Sequence, residues 1–222
     1  MAMPRIARIV ATDFPHHITQ RGNYKQTVFV SHKDYKFYLG RLNEYCKKYK
    51  LSILCYCLMP NHVHYVAIPR EEDSLAKTFN TCHMRYAHYF NKKNNVTGHL
   101  WQGRFFSCVL DDTHLYAAIR YVENNPVRAK LVKKPEEWEW SSVREHLKKA
   151  KGPLSLIDVN DFIDIRNWKE YLAQEEEEDI IKKIRANTLT GRPLGDDAFI
   201  MKLENVFGRR LKALPRGRPK KD

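Results

Sequence analysis

Nowhere does this chain run to the ~18 consecutive apolar residues that a membrane-spanning helix requires, and its opening Met1-Ala2-Met3-Pro4-Arg5 leads into no signal-peptide core. The expected compartment is the cytoplasm. Cys-x-x-Cys pairs are also missing. The five cysteines, Cys46, Cys55, Cys57, Cys82 and Cys108, are odd in number, which argues against a disulfide framework or a zinc ribbon and predicts buried, reduced thiols. Negative charge is scarce: 26 Asp and Glu stand against 39 Lys and Arg, a formal charge of +13. That surplus favours a polyanionic partner, most often nucleic acid, because cationic side chains neutralise phosphates and release counterions. No internal repeat is evident, and 222 residues suffice for one substantial core with helical additions.

What is present centres on Leu58-Met59-Pro60-Asn61-His62-Val63-His64-Tyr65-Val66-Ala67-Ile68-Pro69. Strand side chains alternate between faces, so His62 and His64 project together while Val63 points the other way. Two imidazoles in one strand leave metal binding and ordinary packing both open.

The remaining elements follow from periodicity and turn chemistry. A strand over Phe14 to Arg21 ends in the Gly22-Asn23 turn. Ser31 with Asp34 resembles a capping box and opens a helix whose apolar positions are Tyr35, Tyr38, Leu39, Leu42, Tyr45, Cys46 and Tyr49. Leu51 to Leu58 and His62 to Ile68 pair as a hairpin around Pro60-Asn61. A second helix runs from Ser74 to about Lys93, and another strand from Arg104 to Leu110. The order strand, helix, strand, strand, helix, strand predicts an α+β protein with a ferredoxin-like β-α-β-β-α-β core, its antiparallel sheet covered on one face by two helices. A third helix from Asp112 should end near Asn125, because Pro126 disfavours helical geometry in the residue before it.

Beyond Gly152 charged helical pieces replace alternating strands. The acidic run Gln174 to Asp179 reads as a solvated helix face, and Asp196 as the cap of a short helix. Three segments result: residues 1–148 as a catalytic domain, 149–214 as a helical C-terminal extension, and 215–222 as a basic, disordered tail.

On that third helix Tyr121 and Asn125 lie one turn apart. If the helix docks across the histidine strand, two imidazoles and an amide oxygen would hold a divalent cation with positions left open, and Tyr121 would attack phosphorus. A phenol with an ordinary pKa of about 10 needs a neighbouring positive charge or metal, for which Arg120 and Arg128 are candidates. A helix-face tyrosine is otherwise packing, and Asn125 is equally a helix cap.

The segments Met59-Pro60-Asn61-His62-Val63-His64 and Tyr121-Val122-Glu123-Asn124-Asn125-Pro126-Val127-Arg128-Ala129, in that order, resemble the single-tyrosine HUH transposases, and more narrowly the REP-associated tyrosine transposases of bacteria. Thr19-Gln20-Arg21-Gly22-Asn23, Leu100-Trp101-Gln102-Gly103-Arg104-Phe105 and Trp140-Ser141-Ser142 match further recurring segments. The resemblance implies a metal-dependent endonuclease with strand-transfer activity on single-stranded hairpin DNA, working through a 5′-phosphotyrosine with Mg²⁺ or Mn²⁺. It assigns His62 and His64 as metal ligands, Tyr121 as nucleophile, and Asn125 to the position where insertion-sequence relatives carry Gln. It favours a monomer, a homodimer being the alternative.

For contacts to DNA the candidates are Arg21, Lys25, Arg85, Arg104, Arg120 and Arg128. Trp101, Phe105 and Phe106 are candidates for stacking on unpaired bases. Arg216 and Arg218, in Arg216-Gly217-Arg218-Pro219, have the form of an AT-hook core beside a simpler reading as generic phosphate attraction. A non-catalytic binder of structured nucleic acid and a metal phosphoesterase using activated water are the rival functional classes.

Overall fold

The structure, a computed structural model, describes residues 8–212. Its elements in chain order are β1 (His16–Arg21), α1 (His32–Lys48), β2 (Leu51–Met59), β3 (His62–Pro69), α2 (Ser74–Asn94), β4 (Phe106–Val109), α3 (Asp112–Glu123), α4 (Asn125–Arg128), α5 (Val143–His146), α6 (Trp168–Ala173), α7 (Glu178–Thr190) and α8 (Asp197–Phe207). The four strands form one sheet in the order β2-β3-β1-β4, every neighbouring pair antiparallel. This is the arrangement the β-α-β-β-α-β order predicts.

Local chemistry fixes the ends of the elements. The Asp34 carboxylate accepts the Ser31 backbone N–H at 2.9 Å, and Asp111 caps α3 by accepting the His114 N–H at 2.8 Å. Asp196 does the same for α8 through the Phe199 N–H at 2.7 Å. The third helix ends at Glu123, close to where Pro126 predicts. Asn124 turns the chain at φ −84°, ψ 0°, and α4 restarts with the proline in its first turn, where a missing N–H costs nothing.

The expectation of a sheet covered on one face gives way to one covered on both. On one face α1 and α2 enclose a core that includes Ile18, Tyr38, Leu58, Val63, Tyr65, Phe79 and Tyr86. On the other, α3, α6 and α7 pack over Leu54, Cys55, Cys57, Val66 and Cys108. A register shift between Ile53 and Cys55 marks a bulge, and it is here that β2 changes sides, Ile53 lying in the first core and Leu54 and Cys55 in the second. All five cysteines are buried free thiols. Much of the second core comes from beyond residue 149, through Ile165, Trp168, Tyr171, Ile181 and Ile184. Among the described residues no helix is long and apolar enough to cross a membrane.

One buried carboxylate ties the second layer together. Glu123, with no exposure, accepts from the Ser142 hydroxyl at 2.5 Å, His146 Nδ1 at 2.7 Å and Trp168 Nε1 at 2.7 Å. The His146 pKa is raised despite burial, which acts to lower it, because Glu123 beside it favours the cation.

Candidate active site

β1 and β3 lie side by side with Thr19 opposite His64 and Arg21 opposite His62. His62 and His64 therefore share the α3 side of the sheet, ring centroids 5.0 Å apart, while Val63 enters the core beneath α1 and α2. His17, two residues before Thr19 on β1, joins them: its Nε2 lies 3.0 Å from His64 Nδ1.

The hydrogen bonds fix which nitrogen of each ring carries the proton. Thr188 donates its hydroxyl to the Ile184 carbonyl at 2.7 Å, so its oxygen accepts from His17 Nδ1 at 2.7 Å. His17 Nε2 then carries a lone pair and accepts from His64 Nδ1–H, which leaves the His64 Nε2 lone pair uncommitted. His62 reaches the same tautomer by another route. Asn61 donates its amide to the Lys25 carbonyl at 3.2 Å, so its Oδ1 accepts from His62 Nδ1 at 2.6 Å. Burial pushes the His17 pKa down to about 3. Burial and then the Arg21 charge bring His62 to about 4, and His64 falls well below its ordinary value through burial and its histidine neighbours. All three rings are neutral at neutral pH.

Tyr121 extends from α3 over this cluster. Its ring stands edge-on to His17 and His64, with centroids 5.7 and 5.6 Å away. Arg185 of α7 donates its Nε–H to the Tyr121 hydroxyl at 3.2 Å, and the Arg128 guanidinium carbon lies 4.3 Å from the ring centroid. His17, His62, His64, Tyr121, Asn125, Arg128, Arg185 and Thr188 line one cavity of about 540 Å³.

Two neutral imidazoles presenting Nε2 lone pairs fit a divalent cation, with the remaining positions left to oxygen ligands. Among the described residues no group of three His, Cys, Asp or Glu is placed to hold one. Asn125 lines the cavity, but its Oδ1 already accepts from Arg128 Nη2 at 2.9 Å and its Nδ2 is buried without a partner. Arg128 Nη2 also donates to the Tyr121 carbonyl at 2.7 Å, and its Nη1 pairs with Glu176. The acidic run is solvated as expected at Gln174, Glu175, Glu177, Glu178 and Asp179, and Glu176 alone is half-buried, paired with Arg128 ahead of α7.

The other candidates separate by position. Arg21 is exposed at the cavity and Lys25 is exposed on the neighbouring turn. Arg104 is exposed just before β4. Arg85 is exposed on α2, which packs on the opposite side of the sheet from the histidines. Arg120 donates to Gln174 at 2.5 Å and lies over the Tyr116 and Tyr171 rings rather than in the cavity. Trp101 and Phe105, 7% and 3% exposed, belong to the first core and have no open face for a base; Phe106 lines the cavity. Arg216 and Arg218 lie outside the described residues.

Three residues go beyond the sequence reading. His17 is legible only once β1 is known to neighbour β3, when its alternation with Thr19 and Arg21 puts it on the histidine face. Arg185 and Thr188, three apart on α7, carry no sequence signal of their own.

The family described as Transposase IS200 like matches residues 11–125. No curated protein matches the chain. A solved structure described as a REP-associated tyrosine transposase bound to a REP hairpin is 17% identical, covers 74% of this chain and the whole of its own, and superposes with a TM-score of 0.54. A putative transposase from Deinococcus radiodurans R1 is 18% identical over 55% of this chain and 97% of its own, with a TM-score of 0.37. At 17% identity, the first likeness is one of fold.

Proposed function

This chain belongs to the IS200-like transposase family, and on that premise we propose that it cleaves and rejoins single-stranded DNA beside REP-like palindromic hairpins, through a covalent phosphotyrosine at Tyr121. The observation that carries this reading is the convergence of the Tyr121 hydroxyl, an arginine donating to it and two lone-pair-bearing imidazoles on one open cavity. A net charge of +13 and exposed Arg21 and Lys25 beside the cavity suit a polyanionic strand.

In this mechanism Tyr121 Oη attacks the scissile phosphorus. The Oη–P bond forms as the bond from phosphorus to the 3′-oxygen breaks, the phenol loses its proton, and the departing oxygen gains one to leave a 3′-hydroxyl. One phosphodiester replaces another, so the same hydroxyl can reverse the step or a different strand end can complete a transfer. His62 and His64 would hold Mg²⁺ or Mn²⁺ through Nε2, and the ion would polarise the phosphate and offset charge building on its oxygens. Arg185 holds the nucleophile's oxygen and, once that oxygen bears phosphorus, lies within reach of the phosphoryl group as a counter-charge. Arg128 braces the Tyr121 end of α3 from below. Asn125 could serve as a third ligand through the second lone pair of its oxygen, the first being engaged by Arg128. Tyr121 and the histidines meet within one chain, which supports action within one protomer.

Full-length protein incubated with hairpin DNA carrying single-stranded flanks and Mn²⁺ should give a protein–DNA adduct that survives denaturing electrophoresis. Tyr121→Phe should abolish it, and Arg185→Ala should slow it by roughly 10- to 100-fold, the usual loss for one charge-assisted contact. Binding without any adduct would make the protein a non-catalytic binder. Cleavage undiminished in Tyr121→Phe would make it a water-using phosphoesterase.

A further inference from the structure

The turn after β1 is unusual in its backbone and in what it displays. Tyr24 has φ 50° and ψ 25°, and Lys25 follows at φ 60°, two successive side-chain-bearing residues in the left-handed region that disfavours them. Its ring is 94% exposed, more than any other large hydrophobic side chain among the described residues, and there it makes no hydrogen bond or ring contact.

The turn beneath it is rigidly built. The Gly22 N–H donates to the Asn61 carbonyl at 2.9 Å, and the Asn23 N–H to the Leu100 carbonyl at 2.8 Å. Gln26 Nε2 reaches the same Leu100 oxygen at 3.1 Å. A Cβ on Gly22 would stand 2.5 Å from the Gln26 carbonyl oxygen, so the chain closes as tightly as glycine allows. Strained backbone held by surrounding structure is a mark of a functional segment, and here it holds an aromatic ring out into solvent.

Position supplies the purpose. Asn61 donates to the Lys25 carbonyl and accepts from His62 Nδ1, so a single side chain links the turn to a proposed metal ligand. Arg21, exposed on the cavity rim, precedes the ring in sequence, and exposed Lys25 follows it.

We infer that Tyr24 is a stacking platform for an unpaired base of single-stranded DNA whose backbone runs past Arg21 and Lys25 into the cavity. The inference rests on the transposase reading in that both require a single strand at this site. An aromatic face flanked by cations is the recurrent means of holding single strands without regard to sequence. Trp101 and Phe105, buried in the core, leave that task open.

Binding is measured by fluorescence anisotropy on the full chain with EDTA present, using a DNA hairpin with single-stranded flanks and the same hairpin cut blunt. Tyr24→Ala should weaken binding of the flanked hairpin by roughly 5- to 100-fold, the range that loss of one base stack spans, and leave the blunt hairpin and the thermal midpoint unchanged. Tyr24→Phe should bind like wild type, and 2-aminopurine in the flank should be quenched by wild type but not by Tyr24→Ala. Equal affinity of Tyr24→Ala and wild type for the flanked hairpin would overturn the inference. So would equal losses on both DNAs, or a loss in Tyr24→Phe matching that in Tyr24→Ala. Adduct formation is scored separately: adduct with an indifferent Tyr24→Ala refutes stacking alone, whereas a Tyr24 effect without adduct refutes strand transfer alone.

Discussion

Replacing Thr188 with Val tests whether the hydrogen-bond chain behind His64 sets the tautomer that the proposed metal site needs. Valine keeps nearly the same volume and removes the hydroxyl that lies 2.7 Å from His17 Nδ1, 2.7 Å from the Ile184 carbonyl and 3.2 Å from Cys108 Sγ. Thr188 and His17 are each 1% exposed, so no water replaces the lost acceptor. If His17 keeps its proton on Nδ1, a buried donor is stranded at a cost of about 1–3 kcal/mol in stability. If instead the proton moves to Nε2, His64 must present a lone pair at Nδ1 and carry its own proton on Nε2, which blocks ligation. Partners behind a ligating histidine typically govern 10- to 100-fold in metal affinity, about 1–3 kcal/mol. Isothermal titration of Mn²⁺ into full-length Thr188→Val should show a loss of that size, and long-range ¹⁵N correlation spectra should report a changed His17 or His64 tautomer. Thr188→Ser, which keeps the hydroxyl, should bind Mn²⁺ as wild type does. Wild-type Mn²⁺ affinity in Thr188→Val, with both imidazole spectra unchanged, would refute the reasoning.

Acid should destabilise the protein well before its carboxylates titrate. Burial holds His16 near pKa 4, and His17 and His83 near 3, against about 6.5 unfolded. Below pH ~6.5 the unfolded chain binds protons that the folded chain refuses, so stability falls with pH until the folded values are reached, by up to about 4 kcal/mol per pH unit for three such groups. His146, raised by Glu123, acts in the opposite sense only above its unfolded pKa and does not cancel this slope. Metal-free urea unfolding compared at pH 7 and pH 5 should show the midpoint dropping sharply, and coincident curves would contradict the neutral assignments. Glu123→Ala removes the shared acceptor of Ser142, His146 and Trp168 and should cost about 3–5 kcal/mol, the usual penalty for breaking a buried charged pair. A change below about 1 kcal/mol, within the range of ordinary surface substitutions and pairs, would mean that this network does not hold the second layer.

Much of the fold is readable residue by residue, because the information is local. Alternation around His62 and Val63, capping at Ser31 and Asp196, and apolar spacing over Tyr35 to Tyr49 each state an element's kind and extent. The second helical layer is less legible. An amphipathic pattern shows that α7 buries Ile181 and Ile184 but not against which surface, so Arg185 and Thr188 remain two polar residues until the helix is docked. Competition among polar groups is equally silent. Asn125 and Arg128 stand three apart in sequence, and only coordinates show the guanidinium donating to the amide oxygen. Pro126 marks the end of α3 correctly, and what it leaves unsaid is that the same ring is well suited to the first turn of the next helix.

The bond between His17 and Thr188 joins residues 171 positions apart, and this sets a clock on the protein's own synthesis. At about 5–20 residues per second, a ribosome leaves His17 waiting roughly 10–35 s for its partner, and Tyr121, 64 residues before Arg185, waits about 3–13 s for its own. The β-α-β-β-α-β core can close around the histidines in that interval, yet the guanidinium that donates to the Tyr121 hydroxyl and the hydroxyl that sets the His17 tautomer arrive only with α7. On the proposed mechanism a half-made chain is therefore unarmed, and a message that ends before α7 encodes a protein with every residue of the histidine and tyrosine motifs but neither of the groups that would hold them ready.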